Sequence, residues 1–327
     1  MAAKMVGPRT VRTALELACR APSVHNTQPW RWRLGDDTVA LFADQRRRLW
    51  ATDRDARDLI LSCGAALHHL RVALAAAGVD STVHRRPDPY QPYLLATLEL
   101  RPGTGRNSGV DPEQAAAISL RRTDRRRFAG WTTPEGYLTQ FAQLAAAQGA
   151  TLRVVTNPTT LDILYTAIRD AARAHDQDPV VEAELIAWTG LEGTDAGVPA
   201  ANVPIPGKRS GGPPERRFAA ADLVERDAVT PDSATLLVIG TSSDDTLSQL
   251  RAGEAMSAVL LQATLDRMSS SPLTEPLEVA QTRAVVAKEV LGGTLSPQVI
   301  IRVGWPSGAS TVPPLTPRRP IDEQIEQ

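Results

Sequence analysis

A mixed helix-and-strand fold made of two like halves is what the sequence predicts, on three observations. Helical spacing and strand alternation succeed one another along the whole chain, with no block of either kind alone. The segment Cys63-Gly64-Ala65-Ala66-Leu67 through Ala75 aligns without gaps on Ala252-Gly253-Glu254-Ala255-Met256 through Thr264, and each copy lies between strand-like segments. Finally, 327 residues suffice for about two domains or two fused halves. The pairs Gly64/Ala66 and Gly253/Ala255 would let two helices approach closely where their side chains vanish. A weak internal duplication explains the match, and coincidence between two Ala-rich helices is the alternative.

The elements follow in order. Val11, Ala14, Leu15 and Ala18 give residues 10–20 a helical spacing that stops at Ala21-Pro22, because the residue before proline leaves the helical region. Trp30–Leu34 and Val39–Ala43 alternate and read as two short strands. Asp53 can cap a helix whose apolar run from Ala56 to Ala77 ends at Gly78, a residue free to take positive φ. That helix is too apolar for a surface and reads as the buried axis of a bundle or of a subunit-like interface. Strands at Ser81–Arg85 and Leu94–Leu100 and a Pro/Gly/Ser linker, Arg101–Pro112, complete a first half, 1–110.

The second half, 111–327, opens with the run Arg121–Phe128. A helix at Pro134–Gln148, a strand at Leu152–Thr156, and helices at Thr159–Ala174 and Pro179–Trp188 follow. Residues 190–214 are dominated by Gly and Pro and lack periodicity, which predicts a lid or an irregular excursion. The remainder reads as a strand (Ala234–Thr241), two helices (Asp245–Met268, Pro276–Leu291), a strand (Val299–Gly304) and an extended, charged tail from Pro313.

Composition narrows the function classes. Hydrophobic residues at 42% and charged residues at 22% are ordinary for a globular protein, and a formal charge of −1 gives no global attraction to nucleic acid or anionic membrane. Cys19 and Cys63 sit in apolar helical patterns and read as free thiols in a reducing compartment. No apolar run of signal-peptide length opens the sequence and none approaches the ~18 residues of a membrane span. A soluble, cytoplasmic protein is expected.

Two segments carry chemistry. Ala21-Pro22-Ser23-Val24-His25-Asn26-Thr27-Gln28-Pro29-Trp30 concentrates short donors and acceptors between two prolines, the composition of a ligand cradle or of a capped, proline-bracketed turn. Arg121 to Arg127 supplies five guanidinium groups beside the Thr123 hydroxyl, which suits a phosphate; a solvated face is the bland alternative. The overall charge and the lack of a second basic stripe argue against a nucleic-acid surface. No nucleotide-binding glycine loop, nucleophile elbow or metal-ligand spacing occurs: the five histidines show no ligand spacing, and adjacent His68 and His69 point to different helix faces. No catalytic side chain and no metal are expected.

The first segment resembles the Pro-Ser-x-x-Asn-x-Gln-Pro-Trp signature of nitroreductase-fold flavoproteins, and its His-Asn-Thr variant resembles the actinobacterial Acg family among them. Arg121-x-Thr123-x-Arg125 is similar to the Arg-x-Ser-x-Arg element by which nitroreductases hold flavin mononucleotide (FMN). The resemblance implies an α+β, nitroreductase-like fold of two fused pseudo-equivalent halves, with a central mixed sheet surrounded by helices. It implies FMN held by Ser23, His25, Asn26, Thr27, Gln28, Arg121, Arg122, Thr123 and Arg125, with Arg125 facing the N1/O2 edge of the ring. Pro272, Leu273 and Thr274 occupy the place of a Pro-x-Glu-Gly turn that faces N5, with Thr274 where Glu is usual. Arg318 and Arg319 correspond to C-terminal basic residues that return to the phosphate. In dimeric relatives the two main elements come from different subunits; here each occurs once, in opposite halves. A monomer folded like a dimer with one flavin site is therefore implied. The activity implied is hydride transfer from NAD(P)H to a nitro, quinone or similar acceptor. The alternative is a non-catalytic FMN store with 190–214 closed over the ring.

Overall fold

The computed structural model describes residues 6–103, 110–190, 193–205, 216, 218–224, 232–306 and 312–326. Residues 104–109 of the expected linker and 191–192 and 206–214 of the expected lid lie outside the described residues.

The first half comprises α1 (Pro8–Ala18), β1 (Trp30–Leu34), β2 (Thr38–Ala43), α2 (Arg57–Ala76), β3 (Val79–Arg85) and β4 (Leu94–Pro102). The second runs α3 (Gln114–Leu120), α4 (Glu135–Ala147), β5 (Thr151–Val155), α5 (Pro158–Asp176), α6 (Pro179–Trp188), β6 (Thr235–Thr241), α7 (Thr246–Leu265), β7 (Ser269–Leu273), α8 (Glu275–Glu278), α9 (Ala280–Val285) and β8 (Ser296–Gly304). A last strand, β9 (Ile325–Glu326), belongs to the first sheet.

Sheet order makes the duplication visible. The first half pairs its strands β3-β4-β2-β1 and the second β7-β8-β6-β5, antiparallel throughout, so each strand has a counterpart in the same place. The mixed sheet is the first one, where β9 adds to β1 in parallel. The sheets do not merge at the centre of the molecule, because α2 and α7 lie between the halves and draw residues of both sheets into one core. The second sheet is buried on both faces, its outer side covered by α5, α8 and a π-helical turn at Val286–Val290. Accordingly β6 and β8 are buried along nearly their whole length.

The central helices behave as their composition requires. Asp53 caps α2, its carboxylate accepting from the Asp58 and Leu59 amides at 3.1 and 2.9 Å, and Gly78 ends it at φ 71°. α2 is long and apolar enough to cross a membrane, contrary to the sequence expectation, but most of it is buried against α7 and the sheets. It is a core helix.

Three elements differ from expectation. β7 was not expected, since Ser-Ser-Ser-Pro-Leu is polar and holds a proline; it is an edge strand, where Pro272 costs no ladder bond inside the sheet. α3 precedes the arginine run just past the expected linker, where no element was expected. The expected helix 276–291 breaks at Val279, whose φ −95° and ψ 122° are extended.

Candidate functional site

The loop leaving α1 carries three non-glycine residues at positive φ: His25 (45°), Asn26 (54°) and Gln28 (51°). Such backbone is strained for histidine and glutamine and persists only where the surroundings over-determine it. Here the Ser23 hydroxyl accepts from the Gln28 amide at 2.9 Å, Thr27 Oγ1 donates to the Val24 carbonyl at 2.9 Å, and the Val24 amide donates to Ser62 of α2 at 3.3 Å. Ser23 and His25 of this loop line a cavity.

That cavity gathers four distant segments. Pro22 to His25 line it from the loop, Asp58, Leu61 and Ser62 from α2, Thr123 and Arg125 from the run after α3, and Ser271 to Glu275 from the end of β7. Arg216 and Phe218 complete the wall. Phe218 meets the His25 ring edge-on, with centroids 6.2 Å apart, and the Arg125 guanidinium lies 5.0 Å from the Phe218 ring centre. Arg216 donates to His25 Nε2 at 2.6 Å and pairs with Glu278 and, at 3.4 Å, with Glu275.

A second, arginine-lined cavity adjoins it at Thr123. Arg20, Arg121, Arg122 and Arg318 surround it together with Asn202 and Thr316. No carboxylate lines it among the described residues. The Nε atoms of all four arginines and Asn202 Oδ1 are buried without a hydrogen-bond partner. Burial and then the neighbouring guanidinium groups, Arg318 first, push Arg121 down to about 9; burial and Arg20 push Arg318 down to about 10. Guanidinium does not give up its proton under ordinary conditions, so these shifts measure electrostatic crowding that a bound anion would relieve. Elsewhere in the run Arg126 is neutralised by Asp124, at 2.8 Å.

The C-terminal chain helps to build both cavities. β9 pairs with β1, and Gln324 accepts from the Trp30 indole at 2.7 Å, which draws Pro317 and Arg318 across the loop at 21–28. Arg318 donates to Asn26 Oδ1 at 3.0 Å, and Asn26 Nδ2 donates to the Gly197 and Pro317 carbonyls, each at 3.0 Å. Gln28 donates to the Asp195 carbonyl at 2.9 Å and accepts from the Arg319 amide at 2.9 Å. Asn26, Thr27, Gln28 and Arg319, expected beside the cofactor, are not among the residues that line either cavity. The two amide side chains instead tie the loop to the segment 193–205 and to the tail, while the Arg319 side chain turns to Glu323. Ser23, His25, Thr123, Arg125, Pro272, Leu273 and Thr274 meet at the first cavity, and Arg121, Arg122, Thr123 and Arg318 at the second.

Sequence reading missed Arg20, Arg216, Phe218 and Asp58. Arg20 is adjacent to the Ala21-Pro22 opening, so a count of cations beside the loop would have found it. Arg216 and Phe218 lie just past the expected end of the lid. Burial, with Arg216 and Arg125 alongside, holds the His25 imidazole well below its usual range, so Nε2 is free to accept from Arg216. Burial, then Asp53 and Glu278, push the Asp58 carboxyl far up and favour the neutral acid in the cavity wall.

Fold and site together define a single-chain, two-half α+β protein in which a guanidinium-lined cavity adjoins one with mixed apolar and polar walls. No family model matches the chain. It is 46% identical over 320 residues to the Mycobacterium tuberculosis protein named "Putative NAD(P)H nitroreductase Rv3131", covering 97% of this chain and 91% of that one. It is 37% identical over 324 residues to "Putative NAD(P)H nitroreductase acg" of the same organism, covering 98% and 96%. The chain belongs to this Acg-type family of nitroreductase-fold flavoproteins. Among solved structures, the FMN-dependent nitroreductase NfnB of Mycobacterium smegmatis, in complex with NADPH, aligns with 66% of this chain and 99% of its own at 17% identity and a TM-score of 0.41.

Proposed function

We propose that the protein binds one FMN and passes electrons from NAD(P)H to a small nitro, quinone or similar acceptor. The observation that carries this reading is the pairing of cavities at Thr123: four arginines without a carboxylate suit a phosphate dianion, and the adjoining cavity suits a planar polar ring. Arg20, Arg121, Arg122 and Arg318 would hold the phosphate, with Thr123 between the two parts. Ser23, His25, Arg125 and the Pro272–Thr274 turn would border the ring. FMN, when bound, supplies the hydride chemistry, so no nucleophile or metal is required of the protein. The Arg125 charge in the ring cavity favours the added electron density of the reduced state.

A specific observation favours a second reading, in which FMN is stored rather than turned over. The ring cavity measures about 110 Å³, less than a drug-sized ligand usually needs, and Phe218 and Arg216 stand in its wall. Seating a tricyclic ring requires these side chains to yield, and once returned they would cover it. The segment 193–205 is fastened to the loop by Asn26 and Gln28, which supports such a cover.

An absorption spectrum of the FMN-loaded protein before and after NADPH separates the two. Bleaching of the flavin bands supports the oxidoreductase, and unchanged bands on a protein that keeps its FMN support the store. We further propose that the protein acts as a monomer in the cytoplasm, a reading supported by the internal α2–α7 interface and by Cys19 and Cys63, both free and buried.

A further inference from the structure

Asp58 brings to the first cavity a buried carboxyl oxygen without a partner. The residue stands in the first turn of α2, is 3% exposed and lines the cavity, and its Oδ2 has no hydrogen-bond partner. The groups that could compensate a carboxylate there are engaged elsewhere. The amides of Asp58 and Leu59 donate to Asp53, at 3.1 and 2.9 Å. Arg57 turns away, donating to the Pro297 carbonyl at 2.6 Å and to Asp244 at 3.2 Å. Arg216 is shared among His25, Glu275 and Glu278, and Arg125 donates to the Asn202 carbonyl at 3.3 Å. Ser62, one turn along α2, donates to the Asp58 main-chain carbonyl at 2.6 Å.

The charges that bear most strongly on Asp58 have its own sign. Asp53 on the preceding loop and Glu278 on α8 both act to keep its proton on. Glu278 also accepts from Thr274 Oγ1 at 2.7 Å, so that hydroxyl proton is committed as well. Behind the Arg216–Phe218 wall a further cavity, of about 370 Å³, adds His175, Asp176 and Glu182 to the surroundings. His175 stands 3.5 Å from Glu275 and 3.7 Å from Glu278, the two carboxylates it pairs with when protonated. An ionised Asp58 would thus be buried beside like charge, whereas the neutral acid offers an O–H in the cavity wall.

We propose that Asp58 is a protonated acid whose O–H hydrogen-bonds an acceptor atom of the ring bound in the first cavity. The inference rests on the FMN reading above. An isoalloxazine ring presents carbonyl oxygens and unprotonated ring nitrogens as acceptors, and it gains negative charge on reduction. A carboxylate in the wall would repel that charge, and a neutral acid donates to it.

Infrared difference spectroscopy of the full chain, isotope-labelled at the aspartate carboxyls, follows the Asp58 C=O stretch directly. At about pH 8 Asp53, raised to about 6, is ionised and does not interfere. The FMN-free protein is expected to show a label-sensitive band of a protonated carboxyl that moves to lower frequency when FMN binds and is absent from Asp58→Asn. Riboflavin, which lacks the phosphate, reads the ring cavity without the arginine cavity. It is expected to bind Asp58→Asn within about threefold of the wild type, since an amide also donates, and Asp58→Leu roughly tenfold more weakly. FMN held with no such band would overturn the proposal and leave the FMN reading standing. So would a band unmoved by FMN because the proton already serves an internal acceptor such as Thr274 Oγ1, or riboflavin bound equally well by Asp58→Leu. No uptake of FMN by the wild-type chain would overturn both.

Discussion

Gly64 of α2 and Gly253 of α7 face each other across the centre of the molecule. A Cβ built on Gly64 would lie 2.1 Å from the Leu250 carbonyl oxygen, and one built on Gly253 would lie 2.0 Å from that of Leu61. The contacts are reciprocal, as in a two-fold interface between subunits. The same offset of 189 residues relates His68 to Ser257, whose side chains hydrogen-bond across the pseudo-axis at 2.9 Å. Two copies of one helix therefore pack as a dimer interface inside one chain.

Either glycine replaced by alanine should be costly, because the clash is with backbone that cannot swing away. Gly64→Ala or Gly253→Ala is expected to lose about 3 kcal/mol or more in urea unfolding, or to fail to fold. Gly136→Ala is the control: it lies in α4 with nothing within 4 Å of its Cβ and should gain about 0.5 kcal/mol. Equal effects at the three positions would contradict the close crossing.

Arg121→Ala should move two measurements in opposite directions. Loss of a charged hydrogen bond should weaken FMN retention by roughly 1.5–3 kcal/mol. Thermal unfolding of the FMN-free protein should be unchanged or raised, because the burial of the Arg121 charge and its repulsion by Arg318, Arg122 and Arg20 would be gone. A variant that lost stability and kept its FMN would place the phosphate elsewhere.

His68 makes stability depend on pH. Burial, and then Arg71, push its imidazole down to about 3 from an ordinary value near 6.5, so the neutral ring is the folded form. Its contribution is complete above pH 6.5 and is lost as pH falls toward 3, at about 1.4 kcal/mol per pH unit. Asp53, raised to about 6 chiefly by burial, acts oppositely and loses its contribution as pH rises through that value. Unfolding free energies from pH 6 to 4 should fall less steeply in His68→Asn than in the wild type, and parallel curves would refute this assignment.

Phe218→Ala should join the two cavities that its ring divides. If that wall limits access, NADPH should bleach the FMN-loaded variant faster than the wild type in stopped-flow absorbance, with retention of FMN little changed. Identical rates would mean that the wall does not gate the ring.

The fold was legible where hydrophobic pattern decides it. α2 and α7 were readable as a buried, glycine-notched pair, and β1, β2, β6 and β8 as strands, because burial writes itself into residue type. β7 was hidden since an edge strand tolerates serine and proline, and β9 because two polar-flanked residues carry no periodicity. At the site, Arg121, Thr123 and Arg125 were legible through their spacing and Ser23 through its prolines. Asn26 and Gln28 looked like ligands for the same reason that they serve as struts: an amide satisfies a carbonyl and a ligand equally well. Arg216 and Phe218 reach the site through an irregular segment, and no periodic signal marks such a path.

The duplicated halves differ in charge at one matching position. At the offset that relates Gly64 to Gly253, the counterpart of Thr274 is Arg85, which is ion-paired at 2.6 Å to the fully buried Glu254, itself 2.7 Å from Arg71. An ion-paired network thus stands in the first half where the second half has the Thr274 turn. FMN content per chain is therefore the most direct measurement: flavin absorbance and phosphate released from purified, FMN-saturated protein, set against protein concentration. One FMN per 327-residue chain is the predicted result; a colourless protein that takes up no FMN, or one that binds two, would contradict the account.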